Sequence, residues 1–310
     1  MITLQLTDAS LPSKQLATFE QHFKYPLTSE LSFQISHGED YTRFFRAMGS
    51  NTSLITQDQN GVITASISVI KRQIVLANQS IPGFYLADLK VLPQSSHQTL
   101  YHLFKKGLKI LPELPNSPLY SCVMHGSSRT PDQYSGRLGI PKIIKLGDIS
   151  IFRIESMPYQ QSDSNELISL NPKQLSRLKT FSTQKDCRLD SQGSILRSEH
   201  APRTFALNNY SASCLLEDTR KAKRLIDQNQ QEIISGHISS LSYQSPAQAV
   251  KLIRATLNQT QSYPALFFAV PSQDTTAFQK LLPAHSLSGA SIYGCHLPKD
   301  LRWFINTSEI

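Results

Sequence analysis

The chain has 310 residues, of which 39% are hydrophobic and 17% are charged, and its formal net charge is +8. That length is sufficient for two ordinary domains, and no apolar run is long enough to cross a bilayer. The chain starts Met-Ile-Thr-Leu-Gln-Leu, with neither a basic start nor a long apolar stretch. We therefore expect no signal peptide, no membrane partner and a cytoplasmic location.

The positive charge is scattered along the chain rather than concentrated in one segment. It indicates a basic, solubilising surface, with a basic cleft for a phosphate-bearing cofactor or an acidic partner as the alternative. We expect no nucleic-acid partner, because there is no zinc-ligand spacing, no Gly-Phe-rich RNA motif and no dense basic helix. The four cysteines also lack metal-ligand spacing, so we expect reduced, buried thiols and no metal. These cysteines are Cys122, Cys187, Cys214 and Cys295.

The sequence pattern of residues 1–70 predicts two helices, a short strand and a hairpin. Apolar residues at helical spacing predict helices at 14–23 and 39–48, on either side of a short strand at 31–35. Asn60-Gly61 lies between two alternating apolar runs. Asn and Gly tolerate the positive φ of a tight turn, so this pair predicts a β-hairpin.

The next segment predicts a strand that leads directly into a helix. The run from Phe84 to Leu92 is apolar and ends at Pro93, and an apolar stripe then predicts a helix that ends near Pro112. A strand end that faces a helix N-terminus is a natural site for anions and cofactors. Further patterns predict strands at 119–124 and 142–154, with a helix at 132–138 between them.

The second half repeats this order. Strands are predicted at 234–243, 265–270, 287–297 and 302–306, and helices at 244–257 and 274–282. Gln94-Ser95 and Gln244-Ser245 align, which favours an internal duplication; the alternative is that any α/β chain repeats such units. A polar stretch predicts a linker at 159–175, between domains at 1–158 and 176–310.

Four segments of the first half resemble the GNAT superfamily of N-acyltransferases. They are Tyr41-Thr-Arg-Phe-Phe, the strand Val62-Ile-Thr-Ala-Ser after the hairpin turn, Tyr85 to Pro93 with its Val-x-Pro ending, and Arg137-Leu-Gly-Ile140. The resemblance covers about residues 30–155, and residues 290–310 resemble the last strands of a second, more diverged unit. It implies an α/β fold of two tandem GNAT-like units, each a mixed central sheet flanked by helices.

The resemblance also implies a cofactor site. In GNAT proteins the acyl-CoA pyrophosphate lies on a glycine-rich turn before a helix, where the backbone can approach the phosphates. The matching turn here, residues 96–101, has no glycine but keeps the helix N-terminus and several hydroxyl groups. We expect acetyl-CoA or another acyl-CoA to bind along the strand end and on this turn. The expected contacts are Leu89, Lys90, Val91, Ser95, Ser96, His97, Gln98 and Thr99.

Two residues are candidates for catalysis. Asp88 interrupts an apolar strand and is a candidate general base or ligand-orienting carboxylate, with a structural acid as the alternative. Tyr134 lies near where many GNAT proteins place the tyrosine that protonates the departing thiolate; a packed aromatic is the alternative. The resemblance implies a small-molecule or peptide amine as acceptor. Because the turn has lost its glycines, a catalytically inactive protein that binds a ligand or partner is the alternative function.

Overall fold

The computed structural model describes residues 1–6, 12–26, 32–96, 98–127, 129–134, 136, 139–155, 166–170, 178, 181–189, 193–260, 262–282 and 285–310. Within these ranges, no helix combines the length and the apolar character that a membrane span requires.

The described chain contains five α-helices and seventeen strands. The helices are α1 (Ser13–Glu20), α2 (Tyr41–Arg46), α3 (Gln98–Ile110), α4 (Pro246–Gln259) and α5 (Thr275–Leu281). The first eight strands are β1 (Ile2–Gln5), β2 (Tyr25–Pro26), β3 (Ser32–Ser36), β4 (Ser50–Gln57), β5 (Ile63–Leu76), β6 (Gln79–Val91), β7 (Leu119–Met124) and β8 (Ile144–Glu155). The others are β9 (Leu167–Ser169), β10 (Asp186–Leu189), β11 (Arg203–Leu207), β12 (Ala212–Glu217), β13 (Arg224–Asp227), β14 (Gly236–Tyr243), β15 (Ala265–Pro271), β16 (Ser286–Cys295) and β17 (Arg302–Phe304).

Fourteen of the described strands form one mixed sheet, and β13, β3 and β2 form a second, three-stranded sheet. The larger sheet runs through both halves of the chain. Its strand order is β1-β4-β5-β6-β7-β16-β8-β15-β14-β12-β11-β9, with β10 beside β5 and β17. We call the elements up to β8 unit 1 and those from β9 onward unit 2. Strand β16 of unit 2 lies between β7 and β8, and β8 in turn lies between β16 and β15. Each unit thus contributes a strand to the other.

Strand β6 is buried on both faces of this sheet. Phe84 and Leu86 belong to a core cluster with Leu103 of α3. Tyr85 and Ala87 belong to a second cluster, which contains the aromatic residues of α2. Because successive side chains of a strand point to opposite faces, the continuous apolar run is explained by helices on both sides.

Most predicted elements are confirmed, and one is wrong. The Asn60-Gly61 turn joins β4 to β5, and the strand predicted at 119–124 is β7. The helix predicted at 132–138 is absent from residues 132–134 and 136, the part of it that the structure describes: a 3₁₀ turn covers Pro131–Gln133, and Tyr134 is extended with ψ 127°. Gly136, with a φ of +82°, has a backbone conformation that an α-helix excludes.

Two further outcomes concern the middle of the chain. The strands β10, β11, β12 and β13, within residues 186–227, are additional to the predicted elements. Of the predicted linker at 159–175, the structure describes only residues 166–170, which contain β9. The proposed domain boundaries stay a prediction.

Candidate active site

Strand β6 carries a β-bulge at Asp88. Residues 66–68 of β5 face residues 87–90 of β6, so β6 has one residue more than its partner. Asp88 has a φ of +53°, and the Ser66 hydroxyl donates a hydrogen bond to the Asp88 carbonyl at 3.0 Å. A bulge bends its strand and redirects side chains, and bulges are over-represented next to active sites.

A gap opens between β6 and β7 just before this bulge. The two strands are parallel and pair only at Phe84–Leu119 and Tyr85–Tyr120, although β6 continues to Val91. Helix α3 starts shortly after β6, at Gln98. The gap therefore lies at the carboxyl end of parallel strands and beside a helix N-terminus, where ligands bind in open α/β sheets.

A buried polar network lies on the α1–α2 side of the bulge. The Asp88 carboxylate is 2.7 Å from the Lys90 ammonium and accepts a hydrogen bond from the Tyr41 hydroxyl. Lys90 is also 3.8 Å from Glu20, and Glu20 in turn bonds the imidazole of His37 and its backbone N–H. Helix α1, the loop before α2, and α2 itself therefore each contribute a side chain to the network beneath β6.

The charges in this network stabilise one another. Burial by itself raises the pKa of Asp88. The Lys90 ammonium, His37 and Tyr41 together lower it by more than burial raises it, so the net pKa is below its ordinary value. Burial lowers the pKa of Lys90, but Asp88, Tyr25 and Glu20 together raise it by more, so the net pKa is above its ordinary value. Asp88 and Lys90 are therefore both charged at neutral pH, and Asp88 is a poor proton acceptor.

The same network contains three groups that can coordinate a metal. Ligand atoms of Glu20, His37 and Asp88 lie within 4.8 Å of one another. The Lys90 ammonium, however, already neutralises the Asp88 carboxylate at 2.7 Å. The arrangement fits an internal ion pair better than a metal site.

The residues expected to line the pantetheine have different surroundings. The Leu89 side chain at the bulge is 45% exposed. The Lys90 side chain is buried in the polar network, and Val91 is partly buried against the core beneath α3. Leu89 is thus the side chain of the three that is available at the gap.

The turn before α3 is held together by its own hydroxyl groups. Ser95 donates a hydrogen bond to the carbonyl of Thr64 at 3.1 Å, and the Ser96 hydroxyl accepts one from the Gln98 N–H at 3.2 Å. Thr99 is fully buried, and its hydroxyl has no hydrogen-bond partner among the described residues. Ser96 and Gln98 are exposed. His97 lies outside the described residues.

The two predicted catalytic residues lie on opposite faces of the sheet. The Asp88 side chain bonds Tyr41 of α2, whereas Tyr134 packs against the cluster beneath α3 and donates a hydrogen bond to the Ile140 carbonyl at 3.2 Å. The structure does not bring Asp88 and Tyr134 together. Alternation along a strand predicts Lys90 on the same face as Asp88, and the structure pairs the two. Sequence reasoning missed the other members of the network, Tyr41, Glu20 and His37.

Solved structures match this architecture over nearly the whole chain. N-myristoyltransferase from Saccharomyces cerevisiae with bound myristoyl-CoA superposes with a TM-score of 0.56 at 8% identity, covering 94% of this chain and 82% of that one. A probable N-acyltransferase from Enterococcus faecalis superposes with a TM-score of 0.52 at 10% identity, covering 94% and 71%. A GCN5-related N-acetyltransferase from Kribbella flavida gives 0.50 at 11% identity, covering 94% and 70%.

The chain has a tandem GNAT fold. The predicted fold class and the predicted resemblance to the GNAT superfamily are both confirmed. At the level of sequence, no protein-family model and no curated protein matches the chain.

The two GNAT units repeat the same local geometry. In unit 2, β14 pairs in parallel with β15 only at residues 236–237, and Ser240 has a φ of +49° at an irregularity in the β12–β14 register. Helix α4 follows β14, as α3 follows β6, with the Ser245 hydroxyl accepting a hydrogen bond from the N–H of Gln248. The last residue that pairs in parallel is Tyr85 in unit 1 and His237 in unit 2. In each unit the positive-φ residue, Asp88 or Ser240, comes three positions later.

Proposed function

We propose that the protein binds an acyl-CoA in the gap between β6 and β7 and transfers the acyl group to an amine. The observation that carries this proposal is the bulge at Asp88, on a strand that leaves its parallel neighbour after two residue pairs beside the N-terminus of α3. A protein of the same fold, N-myristoyltransferase, has been solved with bound myristoyl-CoA. That likeness supports the choice of cosubstrate.

The chain offers distinct groups to each part of such a cosubstrate. The backbone of Leu89 to Val91 would bond the amide groups of the pantetheine, because this strand edge diverges from β7. Exposed Ser96 and Gln98, together with the N-terminus of α3, would bind the pyrophosphate. The net charge of +8 favours approach of a polyanion.

Unit 2 provides an internal precedent for a carbonyl group at the bulge. There the Ser240 N–H donates a hydrogen bond to the side-chain carbonyl of Asn306 at 2.8 Å. We infer that the backbone of the Asp88 bulge holds the thioester carbonyl of the acyl-CoA in a similar way. Hydrogen-bond donors fixed at that oxygen would stabilise the negative charge that develops during attack by the amine.

Asp88 then acts as a positioning residue rather than as the base. Its carboxylate is occupied by Lys90 and Tyr41, and its lowered pKa makes it a weak proton acceptor. In the reaction a C–N bond forms, the C–S bond breaks, and one proton passes from the amine to solvent while the thiolate leaves. Orientation of the amine against the thioester would supply much of the rate enhancement.

Two observations favour the alternative function, binding without catalysis. The turn at 96–101 has no glycine, and the predicted base, Asp88, is neutralised by Lys90. Neither feature removes the gap or the helix N-terminus, so a ligand could still bind in the absence of catalysis. A release assay for free thiol, with acyl-CoA and a panel of small-molecule and peptide amines, separates the two functions, because only the transferase produces thiol when an amine is added.

Binding itself is tested by thermal unfolding with acetyl-CoA and with longer acyl-CoAs. We expect stabilisation by about 2.7 kcal/mol at a ligand concentration one hundred times Kd. Ser96→Glu should abolish the stabilisation, because it places a negative charge at the expected pyrophosphate contact. Ser80→Glu, at an exposed serine of the β5–β6 hairpin, is the matched control and should leave it unchanged. No stabilisation by any acyl-CoA at millimolar concentration would overturn the proposal.

A further inference from the structure

The gap in unit 2 is filled by the C-terminal segment of the chain itself. Besides the bond from Ser240 to Asn306 at 2.8 Å, the Ser308 and Ser239 hydroxyls lie 2.7 Å apart. On the other side of the gap, the Thr307 hydroxyl donates a hydrogen bond to the carbonyl of Phe267 in β15 at 3.3 Å. The segment therefore bonds both strands where they diverge.

Buried charges hold this segment in place. Glu309 is 3.2 Å from Arg72 of β5 and 3.1 Å from Arg197. The Lys223 amino group, whose pKa burial lowers to about 7, donates a hydrogen bond to the carbonyl of Thr307 at 3.3 Å. All four of these side chains are buried, and Arg72 belongs to unit 1, so the segment is also attached to the other half of the molecule.

The residue after the positive-φ position shows how differently the two gaps are covered. In unit 1 this residue is Leu89, and it is 45% exposed. In unit 2 the corresponding residue is Leu241, and it is 6% exposed. Unit 1 thus presents an accessible bulge, whereas the bulge of unit 2 is covered.

We propose that unit 2 is a peptide site derived from a second acyl-CoA gap, and that Asn306–Glu309 is its ligand. The site takes a carboxamide at the bulge, hydroxyl groups along the diverging strands, and a carboxylate at the arginine pair. Its occupation closes unit 2 to acyl-CoA, so the chain binds one acyl-CoA, in unit 1. The stoichiometry rests on the proposed function; the peptide site does not.

Hydrogen exchange on the full-length protein tests the peptide site without any cosubstrate. Asn306→Ala removes the acceptor of the Ser240 N–H, so exchange of the Ser240 amide should become about tenfold faster, as loss of one hydrogen bond predicts. Asn229→Ala, at an exposed asparagine, should leave that amide unchanged. An equal exchange rate in wild type and Asn306→Ala would overturn the proposal.

Two measurements on the wild-type chain test the closure of unit 2, and they hold even where Asn306→Ala fails to fold. Calorimetric titration with acetyl-CoA should give one site per chain. Acetyl-CoA should also slow amide exchange in residues 86–91 of β6 and not in residues 238–243 of β14. Two sites, or slower exchange in both strands, would overturn closure. No binding at all would overturn the proposed function, and the Ser240 exchange rates would still decide the peptide site.

Discussion

The ion pair between Asp88 and Lys90 is the strongest local constraint at the bulge. Both side chains are nearly inaccessible, at 8% and 3% exposure, so each lost its hydration on folding and depends on the other for compensation. The positive φ of Asp88 is itself unfavourable for a residue with a side chain. The network that contains Tyr41 and Glu20 keeps Asp88 in this conformation.

Replacement of Asp88 by asparagine tests this dependence. Asp88→Asn keeps the shape of the side chain but removes the carboxylate 2.7 Å from the Lys90 ammonium, so that Glu20, at 3.8 Å, is the acidic group that remains nearby among the described residues. We expect a loss of about 3–5 kcal/mol in the free energy of unfolding, as for other buried pairs that lose one partner. Chemical denaturation measures it. The exposed Asp300→Asn should change stability by less than about 0.5 kcal/mol, and a similarly small change for Asp88→Asn would contradict the assignment.

The pH dependence of the same difference has a defined sign. The pKa of Asp88 is lowered in the folded protein, so its contribution to stability is present above the unfolded pKa of about 3.9. It is lost as pH falls through the lower folded value. The stability difference between wild type and Asp88→Asn should be constant from neutral pH to about pH 5 and should shrink below about pH 4. A difference that grows on acidification would show that the carboxylate is not paired.

The sequence allowed part of this site to be predicted. Asp88 and the turn at 96–99 were recognisable, because an acid inside an apolar run and hydroxyls before a helix are local patterns. The bulge was not recognisable, since alternation alone assumes a regular strand. Glu20 and His37 could not be assigned either: they reach Lys90 and Asp88 only through tertiary packing.

At the scale of elements, the exchange of β8 and β16 depends on a close backbone approach. Gly294 of β16 pairs with Tyr120 of β7, and a Cβ atom at Gly294 would lie 2.1 Å from the carbonyl oxygen of Leu119. Backbone in the middle of a sheet cannot move away without loss of neighbouring hydrogen bonds. A glycine is therefore required where unit 2 inserts its strand into unit 1.

The matched pair Gly294→Ala and Gly107→Ala tests this requirement. Gly294→Ala should destabilise the protein by about 1–3 kcal/mol, as overpacking of a core does. Gly107 lies inside α3, and an added Cβ would meet only a Leu54 methyl group, at 3.4 Å. Gly107→Ala should leave stability unchanged or raise it by up to about 1 kcal/mol, because alanine favours the helix. Denaturant midpoints of the two variants measure the contrast, and equal midpoints would contradict the role of Gly294.

Local chemistry explains which elements were predictable. The Asn60-Gly61 hairpin and the helix at 98–110 follow from turn residues and from an apolar stripe, which act over a few positions. The strand exchange could not be predicted in this way. The patterns of residues 144–155 and 286–295 indicate which residues of each strand are buried, but not which strands lie beside it. The short strands within residues 186–227 are interrupted by polar residues, so their pairing decides their structure.

At the scale of the whole molecule, the two units share a core. The cluster on the α1–α2 side includes Tyr120 of unit 1 and Trp303 of unit 2, whose rings lie 5.7 Å apart. On the opposite face, Phe152 of β8 stacks on Phe268 of β15 with ring centroids 5.1 Å apart. Neither unit buries its own apolar surface alone, so we expect the chain to unfold as one cooperative body.

Phe268→Ala tests this cooperativity with two probes. The substitution removes a fully buried ring of unit 2 and should cost about 3–5 kcal/mol. The single tryptophan, Trp303, is fully buried in the shared core, so its fluorescence reports that core, while far-ultraviolet circular dichroism reports all helices and strands. Both probes should show one transition with the same, lowered Tm.

Ile195→Ala, at a side chain that is 67% exposed, is the control and should leave the Tm unchanged. Separate transitions for the two probes would mean that the units unfold independently despite the shared strands, since a cooperative body loses its core and its secondary structure together.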